Sequence, residues 1–275
     1  MKVDPIRNDP VPDFNHPATL VPVTFESGGE QLIGVILQAQ GEGPHPTVVL
    51  LHGFPGYEKN FDVAHVIRRA GWNVLLFHYR GSWGSQGSYS FGNCLEDVLS
   101  ALTFLRTKKV CTSYKIDAQN IVLIGHSLGG FCALMTAVFD PPICSVASIA
   151  GFNIGYFAQT DVHSLKVKSF FEESLPPLCG TYADQLIAEA VSCAERWNLL
   201  NYCRPLSECS LLLVGGSRDE TAPIGYHHVP LVRRLQNEGC ESLTDIIIDA
   251  DHLFSDKRVT LSEIVFSWLQ DQCKK

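Results

Sequence analysis

A serine stands where an apolar run meets a segment of helical pattern, in the sequence Gly125-His126-Ser127-Leu128-Gly129. Small residues two positions before and after the serine allow a sharp turn that holds its hydroxyl away from the end of a strand. The unpaired N–H groups at the start of the following helix would face negative charge that develops nearby. A helix-capping serine with glycines for close packing is the alternative, but the flanking strand and helix favour a nucleophile for acyl transfer.

A serine hydroxyl is a weak nucleophile, so Ser127 would need a base and a group that orients the base. Among the ten histidines, His252 lies just past a predicted strand that ends near residue 249. Open α/β sheets bind ligands at the carboxyl ends of their strands, so we predict that His252 is the base. Ordinary surface or packing roles are favoured for His16, His45, His163, His227 and His228.

The predicted acid is Asp219, which follows the apolar run 211–214 as His252 follows its own strand. Asp219 could instead cap the next helix, and Glu220, Asp249 and Asp251 are nearby rivals. Neighbours on an extended chain usually point to opposite sides, which disfavours Asp251 as the partner of His252. The chain order serine, aspartate, histidine on successive strand ends favours Asp219.

Acyl transfer also needs donors for the oxyanion that develops on the carbonyl. The residue after the nucleophile, Leu128, offers one backbone N–H, and the loop of residues 52–56 offers a second. Phe54 is the best candidate there because Pro55 has no N–H and Gly53 precedes the bend. A tight turn without a catalytic part is the alternative for this loop, in which His52 is expected to orient the backbone.

Short apolar runs alternate with helical patterns along the chain, which predicts an α/β fold on a mostly parallel sheet. Eight runs are predicted strands: residues 20–25, 33–39, 47–51, 73–79, 120–125, 146–150, 210–215 and 245–249. Helices are predicted at residues 61–70, 91–107, 128–139, 224–238 and 257–272. Residues 1–19 are expected to be an extended arm before one domain over residues 20–275.

Residues 152–209 interrupt this alternation with 58 residues that contain no strand-like run. A structureless loop of that length would be unusual, so we predict a helical cap. One helix is expected over residues 162–174, and another begins at a capping box of Thr181 and Asp184. The second helix would carry Leu186, Ala190, Ala194 and Trp197 at helical spacing.

The cap leaves the sheet after residue 150, at the edge where Ser127 is presented, so it should cover the site. We expect at least two of its large aromatic residues to line a substrate pocket, the others packing in the core. These aromatic residues are Phe152, Tyr156, Phe157, Phe170, Phe171, Trp197 and Tyr202.

Composition excludes several classes of function. The 275 residues contain 21 basic and 29 acidic side chains, a net charge of −8, so nucleic acid is an unlikely partner. No apolar run reaches the roughly eighteen residues of a membrane helix, and the N-terminus lacks a signal-peptide pattern.

The ten cysteines form no C-x-x-C pair, and some, such as Cys132 and Cys144, lie in apolar stretches. Reduced, buried cysteines and a cytoplasmic location are therefore expected.

Taken together, the segments LHGFPG, HYRGSWGSQGS, GHSLGG, GSRDE and DADH resemble the α/β-hydrolase superfamily over about residues 20–273. Within it the chain looks most like small serine hydrolases related to the catalytic domains of prolyl-oligopeptidase-type and acylaminoacyl-type peptidases. The short arm before residue 20 cannot replace the large N-terminal propeller that those peptidases carry. The resemblance implies an α/β-hydrolase fold with Ser127 as nucleophile, Asp219 as acid and His252 as base.

These residues predict a hydrolase of carboxylic esters with small or medium acyl groups, acting through an acyl-enzyme. A peptidase or amidase for short peptides would use the same residues, and a non-catalytic binding protein on this scaffold is a more distant alternative. No metal or organic cofactor is expected, because the histidines and cysteines lack the tight paired spacing of zinc ligands.

Overall fold

The apolar runs form the eight strands of a single sheet in the structure, a computed structural model that describes residues 4–160 and 165–272. The strands are β1 (Thr19–Ser27), β2 (Glu30–Gln38), β3 (His45–Leu51), β4 (Asn73–Phe77), β5 (Ile116–His126), β6 (Ser145–Ile149), β7 (Ser210–Gly216) and β8 (Leu243–Ile248). Their order is β1-β2-β4-β3-β5-β6-β7-β8. β2 pairs antiparallel with β1 and β4, and all other neighbours are parallel, which confirms the predicted sheet.

Helices cover both faces of this sheet. They are α1 (Phe61–Arg69), α2 (Phe91–Arg106), α3 (Lys108–Tyr114), α4 (Leu128–Phe139), α5 (Ile154–Thr160), α6 (Leu165–Glu173), α7 (Ala183–Ser192), α8 (Cys203–Leu206), α9 (Ile224–His227), α10 (Val229–Asn237) and α11 (Arg258–Gln272), with a 3-10 turn at Leu199–Tyr202. α1 and α11 pack on one face, and α2, α4 and α10 pack on the other. α4 is apolar on every side and buries ten of its twelve residues, as a central helix must.

The helix predicted over residues 224–238 is two helices in the structure, α9 and α10. Pro230 lies in the first turn of α10, where its missing N–H costs nothing. Inside a continuous helix the same proline would remove a hydrogen bond and clash with the preceding turn. The apolar periodicity continues across Pro230, which is why the sequence predicts a single helix there. Helices α3, α5 and α8 are not predicted.

Helices α5 to α8 occupy the stretch between β6 and β7, where the helical insertion is predicted. Backbone hydrogen bonds fix its middle to the loop after β4. The N–H of Trp83 donates to the Pro177 carbonyl at 3.0 Å, and the N–H of Cys179 donates to Gly81 at 2.7 Å. The Cys179 carbonyl then accepts the N–H of Tyr89 at 2.9 Å. This part of the insertion is therefore tied to the body of the domain.

A second tie joins α7 to the beginning of α2. The Glu189 carboxylate accepts the backbone N–H groups of Phe91 and Gly92, each at 2.9 Å. These amides belong to the first turn of α2 and have no acceptor within the helix. A carboxylate there also interacts favourably with the positive end of the helix dipole.

The capping box predicted at Thr181 is wrong. α7 begins at Ala183 with Tyr182 as its N-cap, and no side chain caps it. The Thr181 hydroxyl is buried without a hydrogen-bond partner among the described residues, while Asp184 pairs with Lys168 at 2.8 Å. The helix ends at Ser192, so the predicted extension to Trp197 is wrong as well.

The first residues of the helix predicted at 162–174 lie outside the described residues, as do His163 and Cys273; from Leu165 the helix is present as α6. The nine described cysteines are all free. Cys132 is buried as predicted, but Cys144 is exposed because it lies in the turn before β6, outside the core. In the described ranges, no helix has the length and apolar character required to cross a membrane.

Candidate active site

Ser127 lies in the sharp turn between β5 and α4. Its backbone has φ 55° and ψ −117°, an unusual conformation for a residue with a side chain, and its N–H donates to the Ile149 carbonyl at 2.8 Å. A Cβ atom at Gly125 would lie 2.0 Å from the Gly129 carbonyl oxygen, and one at Gly129 would lie 2.2 Å from the Leu51 oxygen. The turn around Ser127 thus requires both glycines for close packing.

Asp219 and His252 meet beyond the ends of β7 and β8. The His252 Nδ1 atom and the Asp219 Oδ2 atom are 2.7 Å apart. The other Asp219 oxygen accepts the backbone N–H groups of Thr221 and Ala222 at 2.9 and 2.7 Å. Burial raises the pKa of the Asp219 carboxyl, but the hydrogen bonds from His252 and the two amides outweigh it and hold this pKa below its usual value. The carboxylate is therefore ionised near neutral pH.

Two of the three rival carboxylates have other partners. Asp251 accepts the N–H of Ser255 at 2.8 Å, and Asp249 forms an ion pair with Arg218 at 2.7 Å. Glu220 lies on the wall of the cavity described below. In the described part of the chain, none of these three carboxylates has a hydrogen bond to the imidazole ring of His252.

The predicted oxyanion donors, Phe54 and Leu128, lie on the wall of the cavity at Ser127. The loop of residues 52–56 approaches the serine closely, because a Cβ atom at Gly53 would lie 3.0 Å from the Ser127 Cβ atom. Phe54 and Leu128 line the same cavity as Ser127, and no backbone carbonyl of the described residues accepts their N–H groups. Both amides are thus free to bind an oxyanion.

His52 stabilises this loop through its ring. The Nδ1 atom donates to the Gly53 carbonyl at 2.8 Å. Burial lowers the pKa of His52 to about 3, so the ring is neutral at physiological pH. This is the orienting contact expected from the sequence.

The Ser127 hydroxyl and the His252 ring are at the same edge of the sheet, but no hydrogen bond joins them in residues 4–160 and 165–272. Such bonds are often long in unliganded active sites and tighten when substrate binds. Across those same ranges, no three His, Cys, Asp or Glu side chains are grouped to hold a metal ion.

His126 is a site residue that the sequence analysis missed. Its Nε2 atom donates to the backbone carbonyl of His252 at 2.8 Å, and the two rings are 4.9 Å apart. Burial lowers the pKa of His126 to about 3, so its ring is a neutral donor. The contact fixes the backbone from which the His252 side chain extends. In the sequence, its position next to Ser127 is the one feature that indicates that His126 belongs to the site.

A cavity of about 630 Å³ opens above Ser127 and Leu128. Five of the seven cap aromatics considered above line it, whereas Trp197 is 2% exposed and packs in the core. The lining aromatic residues of the cap are Phe152, Tyr156, Phe157, Phe170 and Phe171. The ring centroids of Phe54 and Phe171 are 5.3 Å apart, so the loop of residues 52–56 and the cap form one aromatic wall.

His227 also lines this cavity, although the sequence analysis gave it an ordinary packing role. Its ring stacks on Phe152 with centroids 4.3 Å apart. Its Nδ1 atom accepts the backbone N–H of Asn153 at 3.1 Å. Burial lowers the pKa of His227 to about 4, so this is a third neutral imidazole at the candidate site, besides His52 and His126.

Comparison with known proteins gives a family match and several structural matches. Residues 48–259 match the model of the alpha/beta hydrolase family. The uncharacterized protein YfhR of Escherichia coli O157:H7 is 26% identical over 215 residues, which are 77% of this chain and 65% of YfhR. The chain thus spans just under two thirds of the length of that curated relative.

Two solved structures share the fold at lower identity. Est1E from Butyrivibrio proteoclasticus with bound ferulic acid has a TM-score of 0.74 at 17% identity, and the match covers 92% of this chain and 100% of that one. The acylaminoacyl peptidase of Pyrococcus horikoshii has a TM-score of 0.66 at 16% identity, covering 92% of this chain and 41% of that one.

Proposed function

Because the chain belongs to the alpha/beta hydrolase family, we propose that it is a serine hydrolase that cleaves carboxylic esters of small or medium acyl groups. The observation that carries this proposal is the 2.7 Å contact between His252 and Asp219, at the sheet edge that presents Ser127 to a largely apolar cavity. A nucleophile, a base with its orienting acid, and a cavity that can hold the substrate are what ester hydrolysis through an acyl-enzyme requires.

The hydrogen bond to Asp219 decides which nitrogen of His252 acts. An ionised carboxylate can only accept, so Nδ1 carries the proton and Nε2 keeps a free lone pair. In the proposed reaction, Ser127 Oγ bonds to the ester carbonyl carbon while Nε2 takes the hydroxyl proton. The Asp219 charge then stabilises the imidazolium that forms.

The tetrahedral intermediate collapses when the bond between the carbonyl carbon and the alkoxy oxygen breaks. His252 gives its proton to the leaving alcohol, and the acyl group remains on Ser127. Water, deprotonated by Nε2 of His252, then attacks the carbonyl carbon of the acyl-enzyme. The bond between that carbon and Ser127 Oγ breaks, His252 returns the proton to Oγ, and the acid is released. In both halves, the N–H groups of Phe54 and Leu128 donate to the oxyanion.

The cavity wall supports an ester with an apolar acyl or aryl group over a peptide. Most of its lining is aromatic or aliphatic. A peptidase for short peptides would be favoured by an acidic pair that binds the amine, but Glu220 is the one carboxylate among the described lining residues. Est1E, whose structure was solved with ferulic acid, is a relative in fold that holds an aromatic acid.

The proposal is tested by labelling the purified protein with a fluorophosphonate and by screening p-nitrophenyl esters of increasing chain length beside aminoacyl-nitroanilides. We expect covalent labelling and ester turnover, with nitroanilides cleaved poorly. Ser127→Ala should abolish both, lowering kcat by about 10⁵- to 10⁶-fold without unfolding the protein.

Ser255→Ala, at an exposed serine close to His252, is the matched control and should retain activity. A Ser127→Ala protein with a tenth of the wild-type rate would exclude Ser127 as the nucleophile. Faster cleavage of nitroanilides than of every ester would identify the chain as an amidase instead.

A further inference from the structure

His227 lies on the wall of the cavity, and its ring is held in a fixed position. The residue is 6% exposed and lines the cavity together with Ser127. Phe152, on which the ring stacks, donates its backbone N–H to the Ser127 carbonyl at 3.2 Å. The imidazole is therefore held in a defined position close to the candidate nucleophile.

The hydrogen bond from Asn153 sets the tautomer of this ring. A backbone N–H can only donate, so Nδ1 of His227 must be the unprotonated nitrogen. A neutral imidazole carries one proton, which is then on Nε2. That atom has no hydrogen-bond partner among the described residues.

His252 and His227 consequently have opposite capabilities. His252 donates at Nδ1 to Asp219 and can accept a proton at Nε2. His227 accepts at Nδ1 and can only donate at Nε2. His227 is therefore unsuited to be the general base, and its N–H is suited to bind an acceptor.

We propose that His227 is a substrate-binding residue whose Nε2–H donates a hydrogen bond to an acceptor oxygen in the part of the ester that fills the cavity. This inference rests on the proposed function and narrows its substrate class. The preferred esters carry a second oxygen, such as a keto, ether or hydroxyl oxygen, besides those of the scissile group.

The energetic reason is the cost of covering a donor with hydrocarbon. Phe152 covers one face of the His227 ring, and most other lining groups of the cavity are apolar. A plain alkyl chain would displace water from Nε2 and leave the donor unpaired, which is unfavourable. A site built to bind a substrate oxygen rejects the analogue that lacks it.

The experiment compares His227→Phe with the wild type on two series of esters. A keto group is moved along the acyl chain of p-nitrophenyl hexanoate in one series, and along the alcohol chain of hexyl acetate in the other. Phenylalanine keeps a ring on Phe152 but removes the donor. For one keto position, we expect the ratio of kcat/KM for the keto ester to that of the plain ester to fall by about 2- to 12-fold.

His228→Phe is the matched control, because His228 bonds Asp245 at 2.6 Å and is not among the residues that line the cavity. His228→Phe should leave the ratio of kcat/KM for the keto ester to that for the plain ester unchanged. His227→Gln keeps an N–H donor, so its ratio should lie between those of His227→Phe and the wild type. A ratio that stays constant in His227→Phe over both series would overturn the proposal. Absence of any Ser127-dependent ester turnover would instead reject the proposed function.

If His227→Phe does not fold, the proposal is tested on the His227 ring of the wild-type protein. Nitrogen NMR of the ¹⁵N-labelled protein should show His227 protonated at Nε2 and unprotonated at Nδ1 between pH 6 and 8. A proton on Nδ1 would contradict the assignment. In Ser127→Ala, the keto ester should shift the Nε2–H resonance of His227 and the plain ester should not.

Discussion

At the scale of single residues, the partner atoms decide what each buried imidazole can do. The Nδ1–H group of His252 donates a hydrogen bond to Asp219, which leaves Nε2 free to accept a proton. His227 accepts at Nδ1 from the amide of Asn153, which leaves Nε2 as a donor. His126 donates at Nε2 to a backbone carbonyl and so serves as a support. The hydrogen bonds of these three histidines thus suit them to three different chemical roles.

The pairing of Asp219 with His252 gives a prediction for the acid. Asp219→Asn removes the acceptor that holds the proton on Nδ1 and favours the wrong imidazole tautomer, so kcat should fall by about 10⁴-fold. Asp251→Asn should cost far less, because Asp251 accepts from the Ser255 amide. Steady-state kinetics of the two variants check this, and a larger loss in Asp251→Asn would require a different acid.

Sequence reasoning reaches Ser127, Asp219 and His252 as candidates because each follows an apolar strand, a pattern that one sequence displays. It does not reach His227 or His126. The partner of His227 is 74 positions away in the chain, and that of His126 is 126 positions away. Their tautomers follow from hydrogen bonds between distant segments, and periodicity carries no information about these.

At the scale of elements, one part of the insertion is hydrogen-bonded to the body of the domain and another part lines the cavity. Residues 177–179 and α7 are bonded to the body of the domain, as described above. α6 contributes Phe170 and Phe171 to the cavity. Phe170 is 44% exposed, whereas Trp197, which follows α7, is 2% exposed. Substitution by alanine should therefore have different effects on a cavity-lining residue such as Phe170 and on a buried residue such as Trp197.

Phe170→Ala should change the ester chain length that gives the highest kcat/KM, because it widens the cavity, and should move the Tm little. Trp197→Ala is the comparison. It empties a core position and should lower the free energy of unfolding by about 3–5 kcal/mol without a change in preferred chain length. Thermal unfolding and the p-nitrophenyl ester series measure both quantities. If both variants lost stability and neither changed the preferred ester chain length, the cap would not determine substrate specificity.

The elements themselves are largely predictable where apolar period and length are strong. α4 is predicted at its observed bounds, 128–139, because its apolar sequence follows a strand directly. The start of α7 is not predictable in this way. Thr181 and Asp184 have the types and spacing of a capping box, but Asp184 pairs with Lys168 of α6. The N-cap of the helix is Tyr182, so Thr181 lies one residue before the position that a capping box requires.

At the scale of the whole molecule, burial of neutral histidines links folding to pH. His52, His126 and His227 are each less than 7% exposed. Burial lowers their pKa values to about 3, about 3 and about 4. In the unfolded chain each would titrate near pH 6.5. Between these values the unfolded state binds more protons than the folded state, so stability must fall as the pH falls.

We therefore expect the free energy of unfolding to decrease from pH 7.5 to 5.5, by up to about 1.4 kcal/mol for each of the three histidines. Urea denaturation at the two pH values measures the change. His126→Gln keeps a donor for the His252 carbonyl but cannot ionise, so its stability should depend less on pH. Equal or greater stability of the wild type at pH 5.5 would contradict this linkage.

The bonds from Glu189 to the first amides of α2 bear on how the insertion can evolve or be engineered. A cap grafted from another protein would leave the amides of Phe91 and Gly92 without their acceptor, unless it supplied an acidic side chain at the same place. Homologues that keep this cap should therefore keep an acidic side chain at position 189, whatever residues begin α2. A chimera whose cap lacks that side chain should gain stability when a glutamate is placed at the equivalent position.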